Sequence, residues 1–480
     1  MSKSLPCHAL WLRFWAPFML IAALSLTSCL SQPPAPIKKQ ASPVGQGTPV
    51  AVRGKSYYVS KNGNNTDGRS WSTAWNELDQ INWSVIQPGD VLLLDGGTDK
   101  MVYTTTLMIG ESGTQNAPII IQRATETGRN GKVVIFGGRS TPLPYCGQPT
   151  YTSQTAGVIQ FGIQFGAHSW VVVDGMNWHG MGIYGHNAAG VDFSSVSDHD
   201  TLRNIEIYDN GNAYQQGDGT WQPNTRGDGV NLFGSNLTFE QMDIRDNGDD
   251  ALEGAHISNI TIRHSWLHET REDPTHQGLP FNQCVHQDGI QVWGGGVQSG
   301  VLIEDSILGP GLKEGTIIGQ TPFGGHEGAI VNNVTIKNTL FLNKVINVMG
   351  YSYLKEHRWT LDHITAISPG NAIAIWVEGT GHAVTNSIFY GGQILLPDGL
   401  AVSSGNCQWK TNHDTAAIVG MSADPEFVMD VSSFDDSTPL AQIANTNFAL
   451  QAGSPCKGKG SSITSVIQLI TSTRQAQPGS

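Results

Sequence analysis

The sequence predicts an all-β chain wound as a single-stranded right-handed parallel β-helix, a solenoid, and three observations predict it. Glycine (57) and proline (23) make up one residue in six of the 480, while charged residues are only 14%. An interior Gly costs a helix about 1 kcal/mol and a Pro about 3, so a chain punctuated this often suits short strands joined by turns. From about residue 200 a short apolar strand recurs every 23 to 25 residues or with an insertion over that period, and a second strand family headed by acidic residues runs between its copies.

In chain order, residues 1–28 carry two cations, Lys3 and Arg13, no acid, and an apolar run from Phe14 to Leu24. That run falls short of the roughly 20 residues a spanning helix needs and reads as an export signal. Leu26-Thr27-Ser28-Cys29 resembles the lipobox of bacterial lipoproteins, which implies cleavage before Cys29 and acylation of its thiol. Ser31 is not the aspartate of an inner-membrane retention signal, so the expected location is the outer membrane, periplasmic or cell-surface, with the lipid as the sole membrane contact. Residues 29–54, with Pro33, Pro34, Pro36, Pro43 and Pro49, read as an extended tether. The remaining cysteines, Cys146, Cys284, Cys407 and Cys456, then lie in an oxidising compartment where disulfides form. Cys407 with Cys456, and Cys146 with Cys284, is the expected pairing.

The net charge is −13, and −13 less the two positive charges of the signal is −15. The longest cationic run is Lys38-Lys39. A duplex-binding protein shows a basic stripe that neutralises phosphates, so nucleic acid is not an expected partner.

The solenoid is expected over 55–400. Anchoring its repeat on Leu202, Phe239, Ile262, Ile303, Ile336, Leu361 and Val384 gives spacings of 37, 23, 41, 33, 25 and 23. Alternating β-branched and polar residues with asparagines at bends, at this period, mark stacked coils that bury a continuous core. The Leu-x-x-Leu-x-Leu pattern of leucine-rich repeats is missing. The second strand family begins Asp228-Gly229-Val230, Asp250-Ala251-Leu252, Asp288-Gly289-Ile290 and Glu314-Gly315-Thr316. Stacked about 4.8 Å apart, these acids form a column that is either a cation site or a set of perturbed carboxylates. The plainer alternative is turn chemistry, each carboxylate capping a backbone amide.

The long spacings place insertions at about 212–225, with Tyr214 and Trp221, at about 269–285, with Arg271, and after Glu314. Such loops would wall a groove around the column. Tyr214, Trp221 and Trp293 are candidates to stack on sugar rings, with Arg271 and Lys313 as substrate cations; Trp266, Trp359 and Trp376 are equally suited to the core.

Tyr57-Tyr58-Val59-Ser60-Lys61-Asn62-Gly63, Pro88-Gly89-Asp90-Val91-Leu92 and Ser112-Gly113-Thr114-Gln115-Asn116-Ala117-Pro118 resemble the capping segment of bacterial β-helix polysaccharide lyases. Asp424-Pro425-Glu426-Phe427 and Phe448-Ala449-Leu450-Gln451-Ala452-Gly453-Ser454-Pro455 resemble their closing segment, here 401–458, followed by a tail, 459–480. Gly227-Asp228-Gly229-Val230 with Asn247-Gly248-Asp249-Asp250-Ala251-Leu252-Glu253 is similar to the family 9 pectate lyases. The resemblance implies Asp228, Asp249, Asp250 and Glu253 as calcium ligands and an acidic, uronate-containing polysaccharide as substrate, cleaved by β-elimination. Hard oxygen donors from adjacent coils suit Ca²⁺ at about 2.3 to 2.6 Å.

The sequence departs from that family where its lysine base should stand: Gly289-Ile290-Gln291-Val292-Trp293 places Gln291 there. A glutamine cannot take the proton. His286, which with Asp288 makes a possible acid–base pair on one face of a strand, is the expected base, with Lys313 or Lys344 from another coil as the alternatives. A lone His at a coil bend is also a common structural residue. Two other readings stay open. The 21- and 22-residue steps from Asp228 to Asp249-Asp250 resemble polygalacturonase-type hydrolases, although Gly325-His326-Glu327-Gly328 is displaced from the place their Gly-His-Gly takes. A non-catalytic glycan-binding protein would also account for Gln291. A monomer is expected in each case.

Overall fold

In the computed structural model short strands alternate with bends, and nearly every strand pairs in parallel with the strand one coil away. The structure describes residues 54–143, 157–193, 196–215, 221–223, 227–269, 287–293, 296–320, 329–350, 358–368, 372–396, 400–413, 418–434 and 438–475. Residues 1–53, which hold the expected signal, Cys29 and all but the last residue of the expected tether, and the expected pair Cys146 and Cys284 lie outside these residues.

Each coil gives one strand to each of three walls. Val230–Ser235, for example, lies in what we call the groove wall, Thr238–Glu240 in the back wall and Asp243–Arg245 in the flank wall. Parallel pairing repeats this arrangement along the chain; among the described residues the groove and back walls join in one 22-stranded sheet and the flank wall has 12 strands. Parallel strands linked by short bends through a third wall make a right-handed parallel β-helix.

The anchors read from the sequence pair one to one. Leu202 lies beside Phe239, then Ile262, Ile303, Ile336, Leu361 and Val384. All are buried in the core. The groove wall adds Val191, Val230, Leu252, Ile290, Thr316, Val348 and Ile375 in register. Two residues after each anchor the backbone turns with positive φ at Asn204, Gln241, His264, Asp305, Asn338, His363 and Asn386. Asn, Asp and His enter the left-handed region most readily after glycine, so the back-to-flank corner is set by this one residue.

The segment after the last coil strand, Gly420–Ser422, packs on the outside of the flank wall. Phe427, Phe434, Ile443, Phe448 and Leu469 bury against outward-facing Ile307, Leu340, Ile367 and Ile388. Ser461 and Ser462 bond to Asn338 and Thr365. Cys407 and Cys456, the expected pair, form a disulfide that ties this strap to the solenoid.

Candidate functional site

The acidic residues sit at the corner where the chain passes from the flank wall into the groove wall. An amide ladder holds this corner: His186 Nδ1 meets Asn210 Oδ1 at 2.9 Å, Asn210 Nδ2 donates to Asn247 Oδ1 at 3.1 Å, and Gln287 Nε2 donates to the Asn247 carbonyl at 2.7 Å. Burial keeps His186 neutral, its pKa pulled down to about 4. The glycines that follow the acids are there because adjacent coils nearly touch. A Cβ on Gly289 would sit 2.4 Å from the Gly315 carbonyl oxygen, and one on Gly315 2.4 Å from that of Asn347.

Asp228, Asp250, Asp288 and Glu314 stack as a column and link coil to coil. Asp228 Oδ1 accepts from the Asp250 amide (3.3 Å), Asp250 Oδ1 from Asp288 (2.7 Å) and Asp288 Oδ1 from Glu314 (3.1 Å). The turn-chemistry reading is thus met by one oxygen of each of these three. Asp250 Oδ2 is buried with no hydrogen-bond partner. Asp228, Asp249 and Glu253 form a compact trio, each offering an oxygen, all within 4.8 Å of one another.

Burial raises Asp228, Asp249, Asp250 and Asp288. Asp228 is pushed well up by burial and then by Glu253 and Asp249; Asp250 by burial and then by Asp288 and Asp249. Asp249 rises to about 8, through burial, Glu253 and Asp288, with Lys313 opposing. Asp288 rises to about 6 through burial, with its bonds to Glu314 and the charge of Lys313 opposing. An oxygen of Asp228 lies within 4.8 Å of one from Glu253, close enough that both charges are not held together at no cost. Neighbouring acids in this state gain from a cation. An all-oxygen donor set with one orphaned buried oxygen fits a hard divalent ion such as Ca²⁺.

A second group with metal-ligand geometry, His179, Glu206 and Asp243, lies on the flank wall and differs in kind. Lys132 pairs with Glu206, Arg245 reaches Glu206 at 3.1 Å, and His179 and His268 flank Asp243 at 2.6 and 3.0 Å. These partners hold Asp243 well below the usual carboxylate range. Its charge is already balanced, whereas at the corner trio Asp249 feels the charges of Glu253 and Asp288 as well as that of Lys313.

The other sequence candidates fall as follows. Gln291 faces outward from Ile290–Trp293, in register with Glu253 on the coil before, and Trp293 is exposed on the same strand. Asp288 is fully buried at the corner. Lys313 is half-buried, its amide bonded to the Gln287 carbonyl at 2.7 Å. Tyr214 and Trp221 belong to an antiparallel pair, Ala213–Gln215 with Trp221–Pro223, whose side chains are not described. Arg271 and His286 lie outside the described residues. The sequence reading missed the outward residues of the groove wall before Glu253: Gln164 donates to Asp192 (3.2 Å) and Asn231 to its other oxygen (2.9 Å). Extending the 23-residue alignment N-terminally would have found them.

No protein-family model matches the chain, and no curated protein does. Solved structures similar to it include pectate lyase Pel9A (16% identity, TM-score 0.44, 85% of this chain and 92% of that one) and a rhamnogalacturonan lyase (14%, 0.46, 85% and 99%). An alginate lyase from Paenibacillus sp. str. FPU-7 is also similar (12%, 0.31, 72% and 94%). At these identities the likeness is one of fold.

Proposed function

We propose that the protein binds an acidic polysaccharide in the groove over Asp228 to Glu314 and cleaves it by calcium-assisted β-elimination. The observation that carries this reading is the convergence of Asp228, Asp249 and Glu253 within 4.8 Å beside the orphaned Asp250 Oδ2. These four residues would hold Ca²⁺, which, when bound, neutralises the uronate carboxylate and acidifies the proton next to it. The chain's own part is to orient the sugar, with Trp293 exposed beside Gln291 as a stacking surface, and to accept the proton. Gln291 cannot do so. Of the bases the sequence offers, Lys313 and Lys344 lie among the described residues, either acting as the uncharged amine; His286, outside them, is the expected one. The test is ultraviolet absorbance of an unsaturated product from a panel of uronate polymers with Ca²⁺. New reducing ends without that absorbance would show hydrolysis instead.

The specific observation favouring a non-catalytic glycan-binding protein is Gln291 itself, outward-facing and in register with Glu253. That reading is supported if polymer is retained but never shortened. We also propose, from the lipobox-like Leu26-Thr27-Ser28-Cys29, that the protein is held at the outer membrane by acylated Cys29; mass spectrometry of the mature chain, finding an unmodified N-terminus beyond Cys29, would contradict this.

A further inference from the structure

One histidine of the groove wall differs from all the others. Leu232 pairs with Gly254 and Gly234 with Ile257, so Ala255 and His256 together face the single residue Phe233. This is a β-bulge, and a bulge re-aims a side chain. Leu252 and Ile257 are buried in the core, whereas His256 is exposed, three residues along the same strand from half-buried Glu253. Its φ is 54°, a left-handed conformation that strains a residue with a Cβ. Where other described groove strands take a positive φ near this end, glycine supplies it, at Gly166, Gly234 and Gly319. Every other histidine whose side chain is described is engaged, near a carboxylate (His179, His199, His264, His268, His363) or by a hydroxyl, an amide or a carbonyl (His168, His186, His382). His256 has no hydrogen bond or ion pair among the described residues.

Strained backbone that holds a side chain no neighbour engages is a mark of a working residue. Three residues of strand span at most about 10 Å, and less across a bulge. One uronate residue fills that span with its carboxylate toward Glu253 and the carbon next to it toward the imidazole. On the next coil Gln291 lies in register with Glu253, and Trp293 follows Val292, the partner of Gly254, so Gln291 and Trp293 border the same stretch of groove. We propose that His256 is the catalytic base of the elimination, in the role that Gln291 cannot fill. A neutral imidazole offers one acceptor nitrogen. It takes the proton from the carbon next to the uronate carboxylate. The electron pair left behind forms a carbon–carbon double bond as the bond from the next ring carbon to the glycosidic oxygen breaks. That oxygen takes a proton from water, and the imidazolium returns its own to the solvent. The proposal rests on the calcium and uronate reading of the corner, and it names His256 in place of His286 or either lysine.

The test supplies the full chain with uronate polymers and Ca²⁺ and reads the ultraviolet absorbance of the unsaturated product. His256→Gly puts at this bulge the residue that the neighbouring strands use, one that takes a positive φ without strain. It should therefore melt no lower than the parent and bind Ca²⁺ with the parent's affinity, while kcat falls about a hundredfold or more and KM changes little. Added imidazole should restore part of the lost rate in His256→Gly. Activity of His256→Gly near the parent's, a loss confined to KM, or a loss that imidazole does not restore overturns the proposal while leaving the calcium and uronate reading intact. If the parent makes no unsaturated product from any uronate polymer, that reading falls and the proposal with it.

Discussion

At the scale of single residues, the acids in this chain divide by what surrounds them. Asp243 is answered by two imidazoles and Arg245, but Asp250 has one buried oxygen with no partner. Asp250→Asn should therefore weaken Ca²⁺ binding at least about tenfold and cut the stabilisation that Ca²⁺ gives at a hundred times the parent Kd from about 2.7 to about 1.4 kcal/mol or less; calorimetric titration and melting with and without Ca²⁺ check both. Asp200 offers a pH test away from that corner. It is fully buried, one oxygen accepting from the Val171 amide at 2.9 Å and the other without a partner, and burial lifts its pKa to about 8. A carboxyl raised in the folded state keeps its proton while the unfolded chain loses it. Stability is then full below about pH 4 and falls as pH rises toward 8, by up to about 1.4 kcal/mol per unit. Asp200→Asn should flatten that slope between pH 5 and 8 in thermal melts; an unchanged slope would contradict the assignment. The acids were legible in the sequence as a column, but which of them lack partners was not, because that depends on amides and cations brought from other coils.

At the scale of the element, the repeating coil was the most legible feature. Its anchors fall in register because a buried large apolar residue must recur once per turn of the solenoid. The acid–glycine pairs were also visible, but their cause was not: the glycine is needed for the approach of the next coil's carbonyl. Gly289→Ala should cost about 1 to 3 kcal/mol, read as a lower urea midpoint with unchanged slope. A midpoint within error of the parent would mean the coils have room to part. The left-handed corner was legible only in part. Asparagines marked it, but His264, Asp305 and His363 fill the same place, and residue type alone does not distinguish a corner histidine from a catalytic one.

For the whole molecule, the outer face of the flank wall explains the strap. Its outward residues run Glu206, Asp243, Trp266, Ile307, Leu340, ion-paired at first and then apolar, and the strap covers the apolar part. The closing motif was visible in the sequence, but its docking site was not, since outward and inward residues of a strand are both apolar here and periodicity cannot sort them. Cys456→Ser should lower stability by about 2 to 4 kcal/mol and open residues 423–475 to protease while Ca²⁺ binding persists; simultaneous loss of both would mean that strap and corner unfold together. The corner, in turn, stands on three stacked walls that bring Asp228, Asp249, Asp250 and Glu253 from two coils to one place. The most direct measurement of what it does is absorbance of an unsaturated product from uronate polymers, with Ca²⁺ and with chelator, for the parent chain and Asp250→Asn. The account predicts product only for the parent with Ca²⁺. Product that survives chelation, or that Asp250→Asn still makes at the parent rate, would contradict it.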